Sequence, residues 1–371
     1  MRMNYLLNSK RAEKYYFDYV KDLPTVVIWP HDDISEKIYN NATEAFLLND
    51  TEKLVAMRQA DVSEKYITGD ASDFEKFREF CRILPKYFGN HVYYYSHIEL
   101  LNIFECDLDI CEENAELIWN HINKIIADKE LSEKKIFQDA NIHIAKVMRY
   151  DWIFDIWDNE SIADWPSMER FIIEKIRKAD EKGIKGALMP IPTIFVKPNP
   201  YEANIILKRY RKDIYDDEEL PHLYMQIFRT ISIELKKLGW TMYVMNNKTN
   251  GHLYYKLDDN AHIERACQYL KEIDALPKIA KLTVLPANWT YKEYMKEFLS
   301  DYSNQNPFGN MIFTIDLDNV SNPFSRYDFC RRIICNKVAE AVEAGAYTNH
   351  ENTVKSLIQN VLYNNYTEFI G

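Results

Sequence analysis

The sequence predicts an α/β fold built around a parallel sheet. Short apolar segments rich in β-branched residues alternate with longer segments whose apolar residues recur at helical spacing. Strands that alternate with helices in this way pair in parallel, because each helix carries the chain back across the sheet before the next strand begins. Six strands are predicted, over residues 25–29, 141–148, 185–191, 240–245, 281–286 and 311–317.

The elements between these strands are predicted to be helical. The first strand is a continuous apolar run, typical of a strand buried on both faces. The segment 30–125 that follows is rich in aromatic residues and is predicted to be a mostly helical insertion. Amphipathic helices are also predicted over 166–182 and 227–239, and a glycine ends each of them.

The end of the chain, 326–371, predicts a helical hairpin. Two amphipathic segments are joined by a short polar turn. Gly345 is predicted to end the first helix, where a residue without Cβ is tolerated, and Asn349 or Asn352 to cap the second. With this hairpin, the chain is predicted to form a single domain over 1–371.

Composition excludes several classes of protein. The 371 residues carry a net charge of −11, which argues against a nucleic-acid partner or an anionic membrane surface. There is no run of eighteen apolar residues and no apolar core of a signal peptide near the start, so a cytoplasmic location is expected. The six cysteines form no CxxC pair and are expected to be reduced thiols.

Several long motifs carry a resemblance to a known family. They are VSEKYITGDASDFEKF (62–77), FGNHVYYYSHIEL (88–100), LPKIAKLTVLPAN (276–288), RRIICN (331–336), AGAYTN (344–349) and LYNN (362–365). In this order they resemble segments of the uronate isomerases, which are sugar-acid isomerases of carbohydrate metabolism in the amidohydrolase superfamily. Several independent motifs in one order make a chance match improbable.

The resemblance implies a (β/α)₈ TIM-type barrel of the metal-dependent hydrolase kind, with the helical insertion near its N-terminus. Six strands are two fewer than such a barrel needs. The segment 152–157 is a candidate for a short seventh strand, and no segment suggests an eighth. Because the chain is shorter than the family's usual length after Met148 and between Asn288 and Met311, the barrel is predicted to lack one or two strands.

The resemblance also implies a metal site, and this sequence departs from it. The family places an HxH pair after the first strand, a His at the fifth and an Asp at the eighth. Here Trp29 stands where the first His belongs, His31 remains, and the last ligand would be Asp316 or Asp318. A divalent ion needs three or four protein ligands. No resident cofactor is therefore expected, and zinc or manganese would bind only weakly, at His31 and Asp318.

Five residues are candidates for catalysis or substrate binding. Aldose–ketose isomerisation moves a proton between C1 and C2, so it needs a base and a cation for the sugar carboxylate. We assign His31, Asp316 and Asp318 to catalysis, and Arg58 and His97 to substrate binding. A purely structural role stays open for each residue. The alternatives are a hydrogen-bonding histidine at 31, turn or capping roles for the two aspartates, a surface ion pair at Arg58 and a packing role for His97.

Two functions follow from these observations. The first is a uronate isomerase-like protein with an eroded metal site, which acts on glucuronate, galacturonate or a related sugar acid. The second is a catalytically inactive homologue that binds a ligand or a partner. A missing strand would leave sheet edge or apolar surface exposed, so a homo-oligomer is expected. No nucleic-acid or membrane partner is expected.

Overall fold

The computed structural model describes residues 5–29, 34–148, 162–189, 194–245, 260–284, 311–314 and 323–370. All six predicted strands are confirmed in these ranges. They are β1 (Thr25–Trp29), β2 (Ile142–Lys146), β3 (Gly186–Met189), β4 (Thr241–Met245), β5 (Lys278–Val284) and β6 (Met311–Thr314). The candidate seventh strand, 152–157, lies outside the described residues.

Strands that follow one another in the chain are neighbours in the sheets. β1 pairs with β2, and β3 to β6 form a second sheet in the order β3-β4-β5-β6. β4 is parallel to both β3 and β5, with Thr241 opposite Gly186 on one side and Lys278 on the other. Met148, just beyond β2, forms a parallel bridge to Ala187 of β3. The predicted parallel pairing is confirmed for these strands.

Helices account for most of the described chain. They are α1 (Lys10–Tyr15), α2 (Thr51–Gln59), α3 (Asp73–Ile83), α4 (His91–Asn102), α5 (Ala115–Lys129), α6 (Glu133–Asp139), α7 (Trp165–Glu181), α8 (Pro200–Tyr210), α9 (Leu220–Leu238), α10 (Asn260–Glu272), α11 (Pro323–Glu343), α12 (Glu351–Gln359) and α13 (Asn365–Ile370). π-helical turns continue α1 and α12. None of the helices in the described ranges is both long and apolar enough to cross a bilayer.

Local hydrogen bonds explain where these helices begin. The Ser72 hydroxyl accepts from the backbone N–H of Glu75, and the Glu75 carboxylate accepts from the backbone N–H of Ser72, so α3 starts with a capping box. The expected cap of α12 is wrong. His350, not Asn349 or Asn352, is its N-cap residue. The Asn349 side chain instead accepts a hydrogen bond from Arg11 Nη1 at 2.6 Å.

The chain forms two compact units, and each combines segments distant in sequence. The first unit holds the described residues of 1–144 and 313–364, and the second those of 145–284, 310–312 and 365–371. The prediction of a single domain over 1–371 stays a prediction. In the first unit, the ring of Phe46 meets those of Phe77, Phe80 and Phe104 at centroid distances of 5.9–6.1 Å.

The core of the second unit lies between the helices and strands β3 and β4. Ile172 and Ile176 of α7 and Ile231 of α9 are fully buried in this core. β3 begins with a glycine because its neighbour leaves no room for a side chain. A Cβ at Gly186 would lie 2.3 Å from Cε2 of Tyr243, inside any allowed contact distance.

Candidate functional site

Ionisable side chains of the first unit converge where α2, α4 and α11 meet. They are Asp50, Glu52, Lys53, His91, Tyr95, Glu99 and Arg326, which we call the charge cluster. Helical spacing accounts for the contribution of α4, because residues 91, 95 and 99 are each one turn apart and share one face. α11 packs against α4 and carries Arg326 at its first turn.

The innermost part of the charge cluster is a buried ion pair. Lys53 Nζ donates to Glu99 Oε2 at 2.5 Å and to the carbonyl of Phe46 at 2.6 Å. The Lys53 and Glu99 side chains are 0% and 2% exposed. Nζ also lies 3.6 Å from the centroid of the Phe46 ring. Burial raises the pKa of Glu99 to about 7, although the charge of Lys53 opposes this shift.

Arg326 forms the middle layer, between two carboxylates. Its Nη2 donates to Asp50 Oδ1 at 2.9 Å, and its Nη1 lies 2.7 Å from Glu52 Oε2. The guanidinium carbon is 4.4 Å from the centroid of the Tyr95 ring. Burial would lower the pKa of Arg326, but Asp50 and Glu52 outweigh it and raise the pKa above its ordinary value. Its Nε is buried and has no hydrogen-bond partner among the described residues.

Glu52 and His91 form the most exposed layer. His91 Nε2 lies 3.2 Å from Glu52 Oε2, and the side chains are 25% and 18% exposed. Burial of Glu52 opposes its ionisation, but the hydrogen bond with His91 and the charge of Arg326 outweigh it, so the pKa of Glu52 is lowered. An imidazole oriented by a carboxylate is an arrangement that can accept and return a proton.

Two of the five residues assigned from the sequence, Arg58 and His97, lie among the residues that the structure describes. Their hydrogen-bond partners are different. Arg58, at the C-terminal end of α2, donates from Nε and Nη2 to the Glu64 carboxylate at 3.1 and 2.7 Å, and its side chain is 45% exposed. His97 is buried in α4. Its Nδ1 lies 2.8 Å from the Tyr93 carbonyl, and its Nε2 accepts from the Ile110 backbone N–H at 3.1 Å.

These contacts determine the protonation state of His97 and the ion pairing of Arg58. Burial lowers the pKa of His97, and the acceptor at Nε2 requires the proton to sit on Nδ1. The ring is therefore a neutral imidazole with both nitrogens engaged by the backbone. Arg58 is held by one exposed carboxylate, Glu64. The assignment of either residue to substrate binding stays a prediction.

The three residues assigned to catalysis, His31, Asp316 and Asp318, lie outside the described residues, and so does the proposed weak metal site. Their roles stay predictions. Across the ranges that the structure describes, no group of three or more His, Cys, Asp or Glu side chains is arranged to hold a metal ion. None of the six cysteines, all of which lie in the described ranges, forms a disulfide bond.

Sequence reasoning missed Glu52, His91 and Arg326. For His91 the sequence offers a local signal, since His91 and Tyr95 are one helical turn apart and lie on the same face of a helix. No local signal points to Arg326, because 276 residues separate it from Asp50.

Comparison with models of known protein families shows which family this chain belongs to. The family model described as glucuronate isomerase matches residues 1–149 and 254–370. The chain belongs to this family. The resemblance seen in the sequence motifs is therefore confirmed, and the protein is uronate isomerase-like. The unmatched residues, 150–253, include α7 to α9 and strands β3 and β4, all in the second unit.

One member of the family is similar along nearly the whole chain, and another is similar over about a third of it. The uronate isomerase of Clostridium acetobutylicum is 24% identical over an alignment of 466 positions, which covers 98% of this chain and 97% of the relative. That of Bacillus pumilus is 35% identical over 142 residues, which cover 37% of this chain and 30% of the relative.

Solved structures show the fold. The uronate isomerase of Thermotoga maritima matches with a TM-score of 0.71 at 17% identity, covering all of both chains. The glucuronate isomerase of Caulobacter crescentus matches with a TM-score of 0.70 at 16% identity, covering all of this chain and 96% of that one. At these identities the similarity establishes a shared α/β fold.

Proposed function

We propose that this protein interconverts the aldose and ketose forms of glucuronate, galacturonate or a related sugar acid. The observation that carries the proposal is membership of the glucuronate isomerase family on both sides of the unmatched segment. The full-length similarity to the uronate isomerase of Clostridium acetobutylicum supports it. A cytoplasmic location and assembly into a homo-oligomer belong to the same proposal.

The proposed architecture is a (β/α)₈ TIM-type barrel of the metal-dependent hydrolase kind that lacks one or two strands. Two observations support it: strand neighbours in the β3-β4-β5-β6 sheet are consecutive in the chain, and two solved structures of the family share the fold. In such a barrel, catalytic residues lie at the carboxyl ends of the strands. His31 follows β1, and Asp316 and Asp318 follow β6.

The residues of this chain supply the proton chemistry of the proposed reaction. His31 or Asp318 would take the proton from the carbon next to the carbonyl, and Asp316 would assist. Arg58 would hold the sugar carboxylate through two parallel hydrogen bonds, which requires it to leave Glu64. Among the described residues, the Glu52–His91 pair has the geometry of a proton acceptor and is a further candidate for this step.

The donor set does not fit the metal that the family resemblance implies. One imidazole and one or two carboxylates are fewer than the three or four protein ligands of a tightly bound divalent ion. No step of the proposed reaction is therefore routed through a metal. Zinc or manganese held by His31 and Asp318 would be weakly bound and lost on dialysis.

The experiment is turnover of D-glucuronate and D-galacturonate by purified protein, followed by NMR of the sugar and accompanied by elemental analysis. We expect ketose product from at least one sugar, and a loss of about a hundredfold or more in His31→Gln. His350→Gln, at the start of α12, is the matched control and should keep full activity. Absence of turnover of both sugars by folded protein would overturn the proposal and favour an inactive homologue.

A further inference from the structure

The second unit contains an open cleft beside α10, with a volume of about 800 Å³. We call it the α10 cleft. One wall is the face of α10 that carries Arg265, Gln268, Tyr269 and Glu272. Their spacing of three, four and seven residues places them on one side of a helix. The other wall comes from Phe195 and Lys197, in the segment that the family model does not match.

The cations of the α10 cleft are not neutralised. Lys197 and Arg265 are both exposed, and within the described part of the chain neither has a hydrogen-bond or ion-pair partner. Among the lining residues that the structure describes, Glu272 is the one acidic residue, and its Oε1 already accepts from Gln268 Nε2 at 3.0 Å. The described lining of the α10 cleft therefore has an excess of one positive charge in a chain whose net charge is −11. Such a local reversal of sign concentrates anions.

The same cleft presents aromatic rings next to hydrogen-bonding groups. The ring centroids of Phe195 and Tyr269 lie 6.0 Å apart, with an angle of 52° between the ring planes. Both rings are only partly buried, so they offer apolar area to a ligand. The Gln268 amide and the Glu272 carboxylate can bond to hydroxyl groups. Apolar faces with a few polar groups and a fixed charge are typical of a small-molecule site.

We propose that the α10 cleft binds a sugar acid. Its carboxylate pairs with the Arg265 guanidinium, which matches a planar carboxylate bidentately, and Lys197 adds a second charge. The sugar ring lies against Tyr269, and the hydroxyls bond to Gln268 and Glu272. The single excess charge matches a monoanion. This site goes beyond the proposed function, because it requires no turnover and uses none of the residues assigned to the reaction.

A local probe tests the site. Ile273 also lines the α10 cleft, so protein labelled with ¹³C in the isoleucine δ-methyl groups reports binding at this position. The Ile273 resonance is identified by its loss in Ile273→Val. We expect a saturable shift of this resonance with D-glucuronate, and an affinity lower by about tenfold or more for D-glucose, which lacks the carboxylate.

Substitution of Lys197 and Arg265 tests whether these two cations are needed for the glucuronate-induced shift of the Ile273 resonance. Lys197→Gln/Arg265→Gln should weaken glucuronate binding at Ile273 by about tenfold or more, while Lys271→Gln, a cation of α10 outside the cleft lining, should leave it unchanged. Equal binding of glucose, or an unchanged affinity in the double variant, would overturn the proposal. A short oligogalacturonide that binds more tightly than the monomer would support it and identify a polymer end as the source of the sugar acid.

Turnover measured on the same samples separates this proposal from the proposed function. If glucuronate shifts Ile273 in an Arg265-dependent way but is not converted, the α10 cleft stands and the isomerase proposal fails. If glucuronate is converted at equal rates by the wild type and the double variant without any shift of Ile273, the isomerase proposal stands and the α10 cleft fails.

Discussion

The charge cluster and the α10 cleft each contain an arginine and an aromatic ring, but they differ in what neutralises the arginine. Arg326 in the first unit is 12% exposed and contacts the carboxylates of Asp50 and Glu52. Arg265 in the second unit is exposed and has no such partner among the described residues. Buried charges must be paired for the chain to fold, whereas an unpaired exposed charge costs little and stays available to a ligand.

The largest effect on stability is expected from Lys53→Met, which leaves Glu99 buried without its partner. Breaking a buried ion pair by removing one member costs about 3–5 kcal/mol in the free energy of unfolding. Urea denaturation, followed by circular dichroism, measures this loss. The exposed pair Lys135–Asp139 provides the control, because Lys135→Met should change the free energy of unfolding by no more than about 1 kcal/mol.

The loss in Lys53→Met should also depend on pH. Burial places the pKa of Glu99 in the folded protein, about 7 in the wild type, above its value of about 4.3 in an unfolded chain, and removal of Lys53 raises it further. The folded state then binds this proton more tightly than the unfolded state. The stability of both proteins falls as the pH rises to about 7, so the loss caused by the substitution should grow mainly above pH 7, where Glu99 is ionised in the wild type but still protonated in the variant, by at most about 1.4 kcal/mol per pH unit. A loss that stays constant from about pH 7 to 9 would contradict this account.

The second largest effect is expected from Arg326→Gln. It removes the cation between two carboxylates, and since the site is partly exposed we expect a loss of about 2–3 kcal/mol. Arg326→Lys should restore little of it, because one ammonium group cannot donate to both carboxylates in the geometry of a guanidinium. Thermal and urea denaturation of the two variants measure the difference. Full stability of Arg326→Lys would show that charge alone, without the fork geometry, holds α2 and α11 together.

The sequence was sufficient for the strands and insufficient for the charge cluster, and the reason is the range of the interactions involved. Each strand is specified by its own apolar run, so all six were predicted within a few residues. The cap of α12 was wrong because Arg11, 338 residues away, engages Asn349. Arg326 was not predicted because its partner Asp50 is 276 residues away along the chain. Periodicity describes only the near neighbours of a residue, and ion pairs between distant helices are decided by packing.

A smaller effect on stability, combined with a large effect on activity, is expected from His91→Gln. The substitution leaves the Glu52–Arg326 pair in place, so we expect the free energy of unfolding to change by about 1 kcal/mol or less. If the Glu52–His91 pair transfers the proton, kcat should fall by about a hundredfold with KM nearly unchanged. Steady-state kinetics with the preferred sugar acid measure both. Unchanged kcat would assign His91 to the architecture of the charge cluster alone.

The smallest effect on stability is expected from Arg265→Gln. Nothing among the described residues pairs with this guanidinium, so its removal should leave the free energy of unfolding within about 0.5 kcal/mol of the wild type. The measurement is urea denaturation with and without glucuronate. Sugar acid should stabilise the wild type, because a ligand that binds only the folded state shifts the unfolding equilibrium, and it should stabilise Arg265→Gln less. A loss above about 1 kcal/mol without ligand would mean that Arg265 holds the fold as Arg326 does, and the contrast between the two arginines would disappear.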